Sequence, residues 1–233
     1  MLSERDRRHL LRLKAQIIGK CTKCRGKNIS CSCSDIFRLE FKKVKANIPI
    51  KYRTASFEQI THPETSEVRL KLKNYIDKIE SHFEEGDGLF LYGSTGLGKT
   101  SLVCATLIEA LKKQMTGYFI TLDRCVSMLA SGWRSEEMKE QFQSVILDTD
   151  FLVLDEVGNE TRTNVTLVKT CLNDVLRQRS NNLLPTIITS NLYFNRIQEI
   201  YGDEVYSIIN ESCIPLEFKG VDFRQNVIGD THK

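Results

Sequence analysis

Long apolar runs are missing from this sequence. None approaches the roughly 20 residues that a membrane-spanning helix needs, which excludes a helical membrane protein. An apolar leader is missing too, because charges fill the opening MLSERDRRHLLRLK where a secretory signal would be hydrophobic. Both absences point to the cytoplasm. No internal repeat and no low-complexity linker interrupts the 233 residues, which suffice for one sizeable α/β domain and a small appendage. At 41% apolar and 27% charged the chain is an ordinary soluble one, so its function has to be read from motifs.

Acidic residues are scarce in one region only. Residues 1–53 hold 15 Lys and Arg against 4 Asp and Glu, a balance of +11, while the remainder balances at −8. Such a split describes two units with different partners, the basic one facing nucleic acid or an acidic protein, or else presenting a solvated basic face. Within it, residues 3–18 predict a helix with Leu10, Leu11, Leu13, Ile17 and Ile18 as its apolar stripe. That helix either docks a partner or covers the cysteines that follow.

Four of the eight cysteines crowd into thirteen residues, as Cys21-x-x-Cys24 and Cys31-x-Cys33, with Gly26 and Asn28 allowing a turn between them. In a reducing compartment this pattern suits a structural Zn²⁺ site, each pair supplying two thiolates to a tetrahedral ion. So short a unit buries too little apolar surface to hold itself, and a metal would supply the missing stability. The other readings are free loop cysteines or a redox pair. Residues 36–53 then read as a basic connector broken at Pro49, and 64–84 as a helix.

The strongest signal is Gly93-Ser94-Thr95-Gly96-Leu97-Gly98-Lys99-Thr100, followed by Ser101. It satisfies G-x-x-x-x-G-K-[ST], between an apolar strand (Leu89 to Tyr92) and a helix-forming segment running to about Gln114. Glycines let backbone amides approach phosphate oxygens, Lys99 reaches the β- and γ-phosphates, and the Thr100 hydroxyl ligates Mg²⁺. The pattern predicts a nucleoside-triphosphate site.

Downstream, 117–121 reads as a strand and 123–147 as two short helices around Ser131 to Arg134. Phe151 to Gly158 (FLVLDEVG) is a buried strand delivering two carboxylates. Asp155 is placed to hold the Mg²⁺ shell, and Glu156 to orient or deprotonate the attacking water. A helix over 164–181 with Asn164 as N-cap precedes a strand over 184–191, whose end puts Asn191 within reach of the γ-phosphate or the water. A helix over about 194–211 and a last strand over 214–219 complete the pattern. Alternating strands and helices predict a parallel α/β sheet with its ligands at the strands' C-terminal ends.

Residues of about 48–228 resemble AAA+ ATPases of the helicase-loader group (DnaC and DnaI) and the related IstB transposition helpers. The resemblance rests on Tyr52-Arg53-Thr54-Ala55-Ser56-Phe57, GSTGLGKT, FLVLDEVG and Thr189-Ser190-Asn191-Leu192, in that order. It implies an ATP- and Mg²⁺-dependent ATPase domain over 48–233 with Asn191 as the sensor-1 residue, Arg224 as the sensor-2 arginine and Phe57 beside the adenine. It also implies that the cysteine unit, 1–47, grips a hexameric replicative helicase. The 123–147 segment would face single-stranded DNA, and the subunits would self-associate on ATP and DNA. The chain leaves no room for a C-terminal helical lid. The family's arginine finger is not matched: Glu204 and Ile208 stand where arginines are expected, and Arg196 is the candidate replacement. Three functions follow from this: a helicase loader, an IstB-like transposition helper, or a zinc-dependent adaptor that binds nucleotide with little turnover.

Overall fold

The computed structural model describes residues 3–24, 31–59, 66–159 and 164–220. The expected α/β fold is present. Five parallel strands, β1 (Gly88–Gly93), β2 (Gly117–Thr121), β3 (Phe151–Val157), β4 (Thr186–Ser190) and β5 (Cys213–Phe218), lie in the order β2-β3-β4-β1-β5. Helices cover both faces, so the strands read as continuous apolar runs. Alternate residues feed two cores. Leu89, Leu91, Phe151, Val153 and Ile187 join one face, and Phe90, Leu152, Leu154 and Ile188 join the other. Among the described residues no helix is long and apolar enough to cross a membrane.

The first face is packed by α3 (Ser66–Asp77), α4 (Ile79–Glu85) and α5 (Lys99–Lys112). The second is packed by α6 (Leu122–Gly132), α7 (Glu136–Phe142), a π turn over Gln143–Leu147, α8 (Val165–Asn181), α9 (Phe194–Tyr201) and α10 (Asp203–Ser212). Asn164 caps α8, its Oδ1 accepting from the Thr166 and Leu167 amides. Two expected helices are each divided. The helix expected over 64–84 breaks at Lys78, whose φ of −111° and ψ of 23° leave the helical region. The helix expected over 194–211 breaks at Gly202, whose φ of 95° and ψ of 170° suit glycine alone.

The basic stretch 36–53 is not a connector. Most of it belongs to α2 (Ser32–Lys45), followed by a 3₁₀ turn over Ile50–Tyr52. Cys33, Lys43 and Val44 are its buried residues and Leu39 packs on the core, while the charge along the rest of the helix obscures the helical period. The α1 helix (Glu4–Ile17) packs on α2, and α2 packs on α5, where the Lys42 ammonium donates to Leu111 O at 3.1 Å. Residues 46 and 47 run along the outer edge of β2. The Phe119 amide donates to Ala46 O at 2.8 Å, and Asn47 Nδ2 donates to Phe119 O at 2.9 Å. Arg53 ties this region to α1 through Asp6 Oδ1 at 2.8 Å.

Candidate functional site

The loop from Gly93 to Gly98 turns β1 into α5. Backbone geometry explains its glycines: φ is 131° at Gly93, 79° at Gly96 and 81° at Gly98. A Cβ on Gly93 would also sit 2.2 Å from Phe218 O of the neighbouring strand. Leu97 is fully buried and anchors the loop. The helix N-terminus behind it contributes amides that no intrahelical carbonyl satisfies and the positive end of its dipole, both suited to phosphate. The Lys99 ammonium folds back over the loop and donates to Gly93 O and Ser94 O, each at 2.6 Å.

Thr100, one residue into α5, reaches across to β3, and its hydroxyl donates to Asp155 Oδ1 at 3.1 Å. Asp155 is 3% exposed. Burial raises its pKa above the ordinary carboxylate value, opposed by the Thr189 and Thr100 hydroxyls and the Lys99 charge. A carboxylate and a hydroxyl held together beside a phosphate loop form a hard-oxygen set suited to Mg²⁺. Glu156 is exposed, with its backbone in the left-handed region at φ 61°. Asn191 follows β4, and its Nδ2 donates to Asn159 Oδ1 at 3.3 Å, linking the ends of β4 and β3. Because β4 lies between β1 and β3, Lys99, Thr100, Asp155, Glu156 and Asn191 gather at one sheet edge.

Other expected residues stand apart. Phe57 is half-buried in a 3₁₀ turn (Phe57–Gln59), packed against the α5-side core. Arg224 lies outside the described residues. Glu204 on α10 accepts from Asn173 Nδ2 at 2.7 Å and from Arg177 at 3.3 Å, serving the α8–α10 contact. Ile208 packs on the core, and Arg196 pairs with Glu199 on its own helix. Sequence reading gave no role to Thr189 and Ser190. Two consecutive hydroxyls inside a buried strand were the available signal.

The four cysteines converge. Their sulfurs all lie within 4.8 Å of one another, with Cys21 to Cys31 at 3.7 Å and Cys24 to Cys33 at 3.5 Å. A tetrahedron with metal–sulfur bonds of about 2.3 Å has edges of about 3.8 Å, so the set fits Zn²⁺. Burial and the neighbouring thiols push Cys33 up to about 12, while the Cys24 and Lys23 amides lower Cys21. A divalent cation would relieve the repulsion among four thiolates. Gly26 and Asn28, expected to turn the chain here, lie outside the described residues. An apolar groove of about 1010 Å³ lies elsewhere, lined by α2, the C-terminal end of α5 and the start of β2. None of its lining residues belongs to the loop from Gly93 to Thr100.

A family model described as IstB-like ATP binding protein matches residues 42–209. The chain belongs to that family. The replicative helicase loader DnaI of Bacillus subtilis is 27% identical over 139 residues, 59% of this chain and 44% of DnaI. The ATP-binding protein of insertion sequence IS5376 from Geobacillus stearothermophilus is 24% identical over 194 residues, 77% of this chain and 70% of that protein. This member thus matches less than half the length of DnaI. Among solved structures, the DnaC helicase loader superposes with a TM-score of 0.65 at 28% identity, covering 73% of this chain and 100% of that one. A DnaI crystal structure shares the fold, with a TM-score of 0.59 at 22% identity over 75% of this chain and 93% of that one. The fold is that of an AAA+ domain, and family membership supports ATP binding.

Proposed function

We propose that this IstB-like protein is an ATPase that loads a hexameric replicative DNA helicase onto single-stranded DNA when replication starts. The observation that carries the reading is the joining of two sites through one pair of helices. The phosphate loop opens α5, and the four-cysteine unit opens α2, which packs on α5. The likeness to the loaders DnaI and DnaC supports it.

In this reading Gly93 to Thr100, with Ser101, cradle ATP, and Phe57 flanks the adenine. Lys99 binds the β- and γ-phosphates. Thr100 and Asp155 would hold Mg²⁺, which when bound neutralises charge developing on the phosphates. Glu156 orients or deprotonates water, and Asn191 and Arg224 read the γ-phosphate. With Glu204 and Ile208 in place of arginines, turnover is slow or draws its cation from elsewhere, Arg196 being the candidate. Cys21, Cys24, Cys31 and Cys33 hold a structural Zn²⁺, and residues 1–47 grip the helicase. ATP and DNA drive self-association. DNA phosphates meet the basic residues of 36–53 and the α6–α7 segment, where Trp133, 68% exposed, offers a ring for base stacking.

The IS5376 relative and the family match favour a second reading, an ATPase assisting a transposase. The cysteine cluster favours the loader. Glu204 and Ile208 favour a third, an adaptor that binds nucleotide with negligible turnover, which single-turnover hydrolysis with Glu156→Gln as control separates from the others. The deciding experiment is native mass spectrometry of the full chain with its source's replicative helicase, ATP and Mg²⁺. A fixed number of copies per helicase hexamer, lost in Cys24→Ser, is the expected result. Absence of a complex, with duplex DNA or a transposase bound instead, would replace the loader by the transposition helper.

A further inference from the structure

We propose that Thr189 is a positioning residue for the nucleotide site, its single hydroxyl setting both the Asp155 carboxylate and the backbone that presents Glu156. The inference rests on the ATP-site reading given above. It starts from the register of β3 against β4. Leu154 pairs with Ile188 and Val157 with Ser190, so Asp155 and Glu156 together oppose the single residue Thr189. Two residues against one is a β-bulge, a device that re-aims side chains beside functional sites and leaves ladder groups to be satisfied otherwise. The left-handed backbone of Glu156, at φ 61°, is part of this bulge.

Thr189 is 2% exposed and satisfies the bulge from inside the sheet. Its hydroxyl accepts from the Glu156 amide at 3.0 Å and donates to Asp155 Oδ1 at 2.6 Å. A hydroxyl has one proton to give and lone pairs to receive, and here both capacities are used on the two adjacent acids. Ser190 closes the other side in the same manner, donating to Val157 O at 2.6 Å and accepting from the Leu192 amide at 3.0 Å. The second hydroxyl on Asp155, that of Thr100, belongs to the residue assigned to Mg²⁺. Thr189 is therefore the hydroxyl that can hold the carboxylate while Thr100 serves the ion. One side chain links the metal-holding acid to the water-orienting acid, and so the two are set as a unit.

The test compares the full-length parent with Thr189→Val, which keeps the shape and removes the hydroxyl, and Thr189→Ser, which keeps the hydroxyl. Thr189→Ala is a second hydroxyl-free variant should the valine not fold. Mn²⁺ affinity of the ATP complex is read by electron paramagnetic resonance, turnover by single-turnover hydrolysis, and the Glu156 amide by hydrogen exchange. Loss of a group that orients a metal ligand typically costs about 10–100-fold in metal affinity or activity. Thr189→Val is expected to weaken Mn²⁺ binding by that factor, to slow hydrolysis with little change in KM, and to speed exchange at Glu156. Thr189→Ser is expected to restore all three. Parental Mn²⁺ affinity and exchange in Thr189→Val would overturn the proposal alone, as would a serine variant as impaired as the valine. A parent that binds no Mn²⁺–ATP would overturn the ATP-site reading and this proposal with it.

Discussion

Asp155 carries a conflict between folding and chemistry. Its carboxylate is buried beside the phosphate loop, and burial raises its pKa. The folded protein therefore keeps this proton to higher pH than the unfolded chain does, and stability falls as pH rises from the ordinary aspartate range through the raised value. The nucleotide-free protein carries that loss of stability above the raised value. Asp155→Asn is expected to raise its melting temperature, by about 2–4 °C for each kcal/mol relieved, and to abolish stabilisation by Mg²⁺ and ATP. Calorimetry at pH 7 with and without both ligands reads the two effects. Lys99→Ala is expected to abolish nucleotide binding, read by fluorescence titration, and unchanged ATP affinity would refute the phosphate-loop assignment.

Arg179 shows the opposite economy, a fully buried cation used for structure. Its guanidinium donates to Thr186 Oγ1 and to the carbonyls of Ile146, Leu147, Thr149, Asp150 and Pro185. It thereby ties the end of α8 to the turns that start β3 and β4. Arg179→Ala takes the shared donor from those carbonyls, and a loss of at least about 1–3 kcal/mol in urea unfolding is expected, the cost typical of leaving a buried polar group unsatisfied.

Among the elements, legibility followed the kind of signal. The phosphate loop was readable because its requirement is positional: glycine where φ is positive, lysine and threonine where the helix starts. The strands were readable because both faces are covered, leaving uninterrupted apolar runs. Helix α2 was not, since its lysines and arginines dominate the composition while a narrow stripe from Cys33 to Val44 does the packing. The break at Gly202 left only an isolated glycine in a helical pattern. The bulge at Asp155 and Glu156 was invisible, because two residues opposing one is a property of the register between strands distant in sequence.

Helix α2 also ties the cysteine cluster to the rest. Cys31 is its N-cap and Cys33 lies in its first turn, so a bound Zn²⁺ would fix the start of the helix. Cys24→Ser is expected to lose zinc, read by elemental analysis, and to lose helicase binding while keeping ATP affinity. Simultaneous loss of ATP binding would show that the two units do not act separately.

At the scale of the whole molecule, the basic first 53 residues and the acidic remainder are packed against each other rather than strung apart. The charge split suggested either two units with different partners or a solvated basic face, but it carried no information about this packing. Ala46 and Ile48 lie in the core beneath α5, and Arg53 reaches back to α1.

The contact of residues 46 and 47 with β2 has a practical meaning. Strand β2 is outermost, and an outermost strand with bare hydrogen-bonding groups invites pairing with another chain. The segment entering the sheet domain shields part of that border. Cutting the protein at residue 47 to map its partner would strip this shield and uncover Ile48 and the apolar surface under α2. The shortened protein is expected to aggregate, seen as rising light scattering with concentration, and its failure to bind a partner would then report stickiness rather than a missing grip. Point changes at the cysteines are the cleaner probe, because they leave the sheet's border dressed.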